Sequence, residues 1–444
     1  MRLVIVGAEA AGASAAAKAR RSAPDAEIVV FEKSDIASFG ACGLPYFVGG
    51  SFDDADNMIS RTPDQFRASG VDMRTRCEAL AIDPARKTVT VRNLADGGVA
   101  TEPYDKLLIA TGATPIEPPI RNMTLRNVFR LKSLEDGLTL RAAAMDPAIR
   151  DAVVIGGGFI GLETVEALRE RGKTVRLFQL EDRVMREIFD AEATDVLQAA
   201  LDRHGVATHL SESVVALEGE GAVRAVVTDK GVYPADLVVL CVGVRPATAM
   251  VRDCGLDMLG NGAIVVDDHG RTSLPDIFAA GDCAAIPHLV TGAPVYTPLA
   301  TSANKLGRIV GENLAGGDVA FPGTLATSAI RVFDIEAART GLNSAEAAKA
   351  GRAVKSVLVR DKNTSNYVPG QTEMCVKLIY DAQSRALLGG QTFGGPGAAL
   401  RANVLATAIW AGFTVDRIGM IDFLYAPPFS RPWDALNIAA NAAK

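Results

Sequence analysis

The stretch ASFGACGLPYFVGG, Ala37 to Gly50, sets one cysteine, Cys42, among glycines and ahead of a proline. No second cysteine lies within a few residues of it. The thiolate is the form of cysteine that attacks disulfides, so this spacing raises thiol chemistry whose partner sulfur is not nearby in the chain. Two other stretches suit a different chemistry. LVIVGAEAAG at the start and AVVIGGGFIGLE near the middle each run an apolar strand into glycines and then into an amphipathic helix. Glycines let the backbone approach a pyrophosphate, and the helix N-terminus offers N–H groups and the positive end of a dipole.

The elements around these turns form an internal repeat. The helices AGASAAAKARR and ETVEALRERG lead into second apolar strands, EIVVFEK and TVRLFQL, which makes a βαβ unit twice over. The second turn is complete, with Gly156, Gly158 and Gly161. The first keeps Gly7 and Gly12 but has Glu9 in the middle, where a side chain crowds a pyrophosphate. Glu32 ends the second strand of the first copy, where a carboxylate takes both ribose hydroxyls of an adenosine. Gln179 stands there in the second copy, without a charge to repel a 2′-phosphate and without an arginine that clearly invites one, so NADH and NADPH both stay open. YDKLLIATGATP carries an apolar strand into Thr111–Gly112, and TSLPDIFAAGDCA carries one into Gly281–Asp282. A helix is expected after Asp282, which then either faces a ligand at the strand end or caps that helix.

Composition bounds the rest. A chain of 444 residues exceeds one hydrophobic core, so two or three domains are expected. With 48% hydrophobic and 22% charged residues it reads as an ordinary globular protein. A net charge of −6 leaves no basic footprint for nucleic acid. The N-terminus reads as strand, turn and helix rather than as a signal peptide. No uncharged apolar run reaches membrane-spanning length; GAALRANVLATAIWAGFTV carries Arg401 and Asn403 and reads as a buried core helix. The six cysteines lack the close spacing of a disulfide framework or a zinc site, so no metal is expected and the compartment reads as reducing and cytoplasmic. Beyond GRIVGENLAGG and Pro322 the dinucleotide signals stop. AVKSVLVR and MCVKLIYD there read as strands, followed by helices to the end.

On these motifs the chain resembles the pyridine nucleotide–disulfide oxidoreductases, flavoproteins with two dinucleotide-binding domains, over nearly its whole length. The resemblance implies an α/β fold of two Rossmann-like domains, for FAD and for NAD(P)H, plus a C-terminal α+β dimerisation domain. The boundaries it suggests are 1–115 and 241–320 for the FAD domain, 116–240 for the NAD(P)H domain, and 321–444 for the dimerisation domain of a homodimer. For FAD it implies Gly7, Ala8, Gly12, Glu32, Lys33 and Ala79, with Thr111, Gly112, Asp282, Leu299 and Ala300. For the nicotinamide nucleotide it implies Gly156, Gly158, Phe159, Ile160 and Gly161, with Glu163, Gln179 and Gly243.

Cys42 then becomes the redox sulfur. Pro45 fits a helix start just after it, and a thiol at a helix N-terminus near an oxidised flavin is expected to have a lowered pKa. Cys77, Cys241, Cys254, Cys283 and Cys375 are expected to pack in the interior. The pattern S-F-x-x-C-x-L-P-Y resembles the single-cysteine branch, which includes coenzyme A-disulfide reductases, NADH oxidases and NADH peroxidases. The oxidases and peroxidases carry a histidine in the first glycine turn, where this chain has Ala10. TSNYVPG and FLYAPPFSRPWDALNIAAN resemble the coenzyme A-disulfide reductases and imply Tyr367 and Tyr425 as catalytic partners of Cys42, approaching from the partner subunit. The same resemblance implies Ser14, Lys18, Arg21, Ser38, Phe39 and Asn304 around the substrate, with coenzyme A held on Cys42 as a mixed disulfide. Ala41, where the subfamily often has asparagine, and Gly70, near a position where a lysine is seen, leave another small disulfide, a persulfide or a polysulfide open as substrate. An oxidase or peroxidase using a Cys42 sulfenic acid, a ferredoxin-type electron-transfer reductase and a non-catalytic redox sensor are the competing expectations.

Overall fold

The computed structural model describes the whole of Met1–Lys444, which divides into two compact units. The first comprises Met1–Leu44, Asp54–Ile116 and Val244–Thr324. The run Leu3–Val6 forms the middle strand of a parallel sheet in the order Ile277–Ala279, Lys106–Ile109, Arg2–Val6, Glu27–Phe31, Asp72–Arg74. Leu3, Val4 and Ile5 are fully buried, as an unbroken apolar strand covered on both faces must be. The helix Ala10–Ser22 packs on the helix Ala300–Leu314 at backbone distance. A Cβ on Gly307 would lie 2.4 Å from the Ala11 carbonyl oxygen, so the two helices touch only because that side chain is absent. An antiparallel meander of Cys77–Asp83, Thr88–Asn93 and Val99–Pro103 completes the unit.

The second unit comprises Pro45–Asp53, Glu117–Gly243 and Leu325–Lys444. It repeats the plan: a parallel sheet in the order Ala207–Leu210, Thr174–Gln179, Asp151–Ile155, Leu237–Leu240, Val128–Phe129, and a meander of Val214–Glu218, Ala225–Thr228 and Val232–Pro234. It adds an antiparallel sheet in the order Ser328–Val332, Ile335–Gly341, Leu387–Gly394, Glu373–Asp381, Val354–Lys362, backed by the helix Ala398–Trp410. The class is α/β with an α+β C-terminal part, as the sequence predicts.

Three local expectations are corrected. The centre of the antiparallel sheet is Leu387–Gly394, a strand that the glycines in LLGGQTFG hide from a reading by β-propensity. No helix follows Asp282: a short strand, Ala284–Pro287, comes first and the next helix starts at Ala300. The helix Ala398–Trp410 is not enclosed, since Leu400 and Trp410 are 73% and 56% exposed. No helix is long and apolar enough to cross a membrane.

Candidate active site

The two glycine turns have one geometry. Strand residue Val6 is in register with Phe31 and Ile109, and Ile155 is in register with Phe178 and Leu240. Gly7 (φ +101°) and Gly156 (φ +107°) turn the chain in the left-handed region, and each N–H donates at 2.8 Å to the carbonyl of Phe31 or Phe178. A Cβ on Gly12 would stand 1.8 Å from the Gly7 carbonyl oxygen, and one on Gly161 would stand 1.9 Å from that of Gly156. The first and last glycines of each turn are therefore demanded by the chain's own crossing. The middle position differs, because a Cβ on Gly158 would meet no protein atom within 4 Å. That open cradle at the start of the helix Phe159–Glu170 fits a pyrophosphate. Glu9 holds the corresponding place before the helix Ala10–Ser22.

The strand-end residues support the turns. Ala8 N–H donates to Glu32 Oε2 at 2.7 Å, and Gly157 N–H donates to Gln179 Oε1 at 2.8 Å. Ser34 gives Glu32 Oε1 two further hydrogen bonds, from its N–H and its hydroxyl. Burial raises the Glu32 carboxyl above its usual range, and these bonds oppose the rise. Lys33 pairs with Glu78 at 2.8 Å, beside Ala79 on the strand Cys77–Asp83. Thr111 and Gly112 follow the strand Lys106–Ile109, and Asp282 follows Ile277–Ala279, which is paired to it. Tyr296 lies near Asp282, and its hydroxyl and that of Thr297 are buried with no protein partner, just ahead of Leu299 and Ala300 at a helix start. Buried hydroxyls of this kind need a partner, and with the left-handed turn at Gly7 and the buried Glu32 carboxylate they fit a dinucleotide cofactor such as FAD in the first unit.

Cys42 lies in a 3₁₀ turn, Ala41–Gly43, that runs into the helix Leu44–Gly49 with Pro45 in its first turn. Its loop hangs on the first glycine turn: Ser38 N–H donates to the Ala8 carbonyl at 2.7 Å, and Phe39 bridges to Ile59. Ser38 holds a left-handed φ of +53°, a conformation rare for a residue with a side chain. Among the six cysteines Cys42 alone is exposed. Burial pushes every other thiol upward, to about 12 for Cys241 and about 11 for Cys375, with Cys77, Cys254 and Cys283 also raised. Those five are poor thiolates at neutral pH, as the expectation of interior packing requires.

Tyr367 and Tyr425, far apart in sequence, come together in the second unit with hydroxyl oxygens 3.1 Å apart. The intervening backbone fixes the pairing: Ser365 N–H donates to the Pro427 carbonyl, and Val368 N–H to that of Ser365. Both rings are open to solvent, 72% and 46% exposed. Their mutual hydrogen bond raises the Tyr367 phenol and lowers that of Tyr425, which makes Tyr425 the more acidic of the two.

The expected substrate residues lie on the helix pair of the first unit. Ser14 Oγ is 2.9 Å from Asn304 Oδ1, and Lys18 Nζ pairs with Glu312 at 3.0 Å. Arg21 is exposed at the end of its helix. Lys18 is therefore neutralised within the chain, and Arg21 is the cation of that face left to solvent. In the second unit Phe159, Ile160 and Glu163 start the helix after the cradle, and Gly243 turns the chain beyond the strand Leu237–Leu240. Burial pushes the Glu163 carboxyl up to about 7, and Tyr46 donates to its Oε1 at 3.3 Å. Tyr46, Tyr296 and Thr297 were not anticipated from the sequence. Tyr46 belongs to the LPY motif, but nothing in sequence spacing joins it to Glu163.

Comparison with known proteins agrees with this layout. The family model of the pyridine nucleotide-disulphide oxidoreductases matches residues 1–297, and that of their dimerisation domain matches residues 327–435. A protein of Pyrococcus horikoshii described as NAD(P)H coenzyme A polysulfide/persulfide reductase is 36% identical over 444 residues, covering 100% of this chain and 98% of its own. Among solved structures, the NAD-dependent persulfide reductase from A. fulgidus superposes with a TM-score of 0.94 at 36% identity, over 99% of this chain and 82% of its own. The water-forming NADH oxidase from Lactobacillus brevis bound to NADH superposes with a TM-score of 0.95, also at 36% identity, over 100% of this chain and 98% of its own.

Proposed function

The chain belongs to the pyridine nucleotide-disulphide oxidoreductase family, and on that premise we propose that it uses NAD(P)H to reduce a low-molecular-weight disulfide, coenzyme A disulfide or a related persulfide, through Cys42. One observation carries the assignment: Cys42 is the single exposed thiol, and its loop is bonded directly to the first glycine turn. Bound FAD would supply the two electrons, taken from NAD(P)H, that reopen a disulfide on Cys42. The Cys42 thiolate attacks one sulfur of RSSR, the S–S bond breaks, RS⁻ leaves, and a Cys42–S–S–R mixed disulfide remains. Two electrons and one proton then release the second thiol as RSH and restore the thiolate. Over the cycle NAD(P)H, a proton and RSSR become NAD(P)⁺ and two RSH. The partner sulfur comes from substrate, which accounts for a redox cysteine with no close neighbour in sequence.

Tyr425, the more acidic phenol, is the proton donor to the leaving thiolate in this reading, and Tyr367 holds its hydroxyl in place. The pair serves Cys42 of the other subunit of a homodimer, consistent with the match of residues 327–435 to a dimerisation domain. Residues 116–240 act as the NAD(P)H domain. Arg21 is the cation offered to phosphate groups of the thiol carrier.

A second reading, an NADH oxidase working through a Cys42 sulfenic acid, is favoured by the equal likeness to the Lactobacillus brevis oxidase. Ala10, where the first glycine turn would need a histidine, weighs against it. Steady-state NAD(P)H oxidation with coenzyme A disulfide, polysulfide, oxygen and peroxide separates the two. Cys42→Ser is expected to abolish disulfide reduction while the flavin spectrum persists, and wild-type rates in that variant would overturn the sulfur mechanism. Loss of a coenzyme A mass from Cys42 on reduction of the purified protein would identify the thiol.

A further inference from the structure

Glu163, Glu166 and Glu170 share one face of the helix Phe159–Glu170, as their spacing of three and four residues requires. With Pro45, Tyr46 and Arg331 they line one crevice in the second unit. The single cation is spent on Glu166: Arg331 donates to Oε1 at 3.1 Å, and Phe333 N–H donates to Oε2 at 2.9 Å. Glu163 receives only the Tyr46 hydroxyl, at 3.3 Å. It is therefore a half-buried carboxyl with no countercharge, facing Glu166 and Glu170 from its own helix, Tyr46 from the segment Pro45–Asp53 and Arg331 from the strand Ser328–Val332. Burial and the neighbouring Glu163 push the Tyr46 phenol up to about 12, so it remains a donor at every working pH.

The segment that carries Tyr46 is itself clamped. Arg141 donates to the carbonyls of Phe47 and Phe52, both at 2.8 Å, and its guanidinium lies 4.3 Å from the centre of the Phe47 ring. Arg171 donates to the Val48 carbonyl at 2.8 Å. Tyr46 follows closely on Cys42 in the chain, in the helix Leu44–Gly49 that comes directly after the turn Ala41–Gly43.

The geometry points to Tyr46 as a positioning residue: its hydroxyl orients the Glu163 carboxyl and biases it toward its ionised form, and so makes nicotinamide-nucleotide binding depend on pH. This rests on the family-based reading of Glu163 as a nucleotide contact. A protonated Glu163 donates one hydrogen bond and an ionised one only accepts, so the two forms offer a bound nucleotide different partners.

The test is calorimetric titration of NAD⁺ and NADP⁺ into the flavin-loaded enzyme from pH 5.5 to 9, without turnover. Wild type should show an inflection in affinity near pH 7. Tyr46→Phe removes a bond that favours the ionised form, so its inflection should move up by roughly half a unit or more. Glu163→Gln should show none, and adding Tyr46→Phe to it should change nothing further. An unmoved inflection in Tyr46→Phe, or a full inflection surviving in Glu163→Gln, overturns the inference. Disulfide reduction is assayed separately on wild type: an enzyme that reduces no disulfide yet shows the expected binding profiles would sink the proposed acceptor and leave the role of Tyr46 standing.

Discussion

Replacing Glu163 by glutamine should stabilise the protein increasingly as pH rises. Its carboxyl has a folded-state pKa of about 7 against 4.5 when solvated, and the largest cause is burial. Between those values the native state holds a proton that the unfolded chain has already lost. Stability therefore falls as pH climbs through that window and levels off above it. The gap converts to about 3 kcal/mol at 1.36 kcal/mol per pH unit, of which nearly all should be felt by pH 8. Glutamine keeps the shape and the hydrogen bond from Tyr46 but never ionises, so it escapes the loss. The assay is urea unfolding of flavin-loaded wild type and Glu163→Gln at one protein concentration, at pH 5, 6, 7, 8 and 9. Other titrating groups are common to both proteins and cancel in the difference. The difference should grow from under about 1 kcal/mol at pH 5 to a plateau of about 3 kcal/mol above pH 8, counted from any constant offset. Curves that run parallel across this range would show that Glu163 is solvated in the folded state and would remove the basis for its role.

Other perturbations separate fold from site. Gly161→Ala places a Cβ 1.9 Å from a backbone oxygen that cannot swing aside, so it should lower stability by about 3 kcal/mol or more, read by the same unfolding assay. Gly158→Ala meets no protein atom, so it should cost less than about 1 kcal/mol of stability yet weaken NAD(P)H binding at least tenfold by calorimetry; unchanged affinity would show that the cradle holds no phosphate. Tyr425→Phe should slow thiol release more than flavin reduction in stopped flow, and equal slowing of both half-reactions would refute its part as proton donor.

Much of the architecture is legible because its signals are local. A buried parallel strand must be apolar throughout, and a chain that turns under itself must use glycine, so LVIVG and AVVIGGG announce themselves. The Cys42 loop and the two tyrosine motifs are likewise short stretches with distinctive residues. What sequence conceals is contact made at a distance. The Tyr46–Glu163 bond and the orphaned hydroxyls of Tyr296 and Thr297 leave no periodic trace. The strand Leu387–Gly394 is masked because Gly389 must sit where a Cβ would lie 1.9 Å from the Leu342 carbonyl oxygen, which trades away the residues by which strands are recognised.

The duplicated glycine turn also serves as an internal control, two solutions of one construction problem within a single gene product. Where both copies agree, as at Gly7 with Gly156 and Gly12 with Gly161, a carbonyl oxygen leaves no alternative. Where they diverge, the chain's own construction does not dictate the residue: Gly158, opposite Glu9, has open space for a side chain, and Glu32 and Gln179 both accept from the backbone N–H of their turn. Differences between the halves thus mark out, without any outside reference, positions that the construction of the turn leaves undetermined.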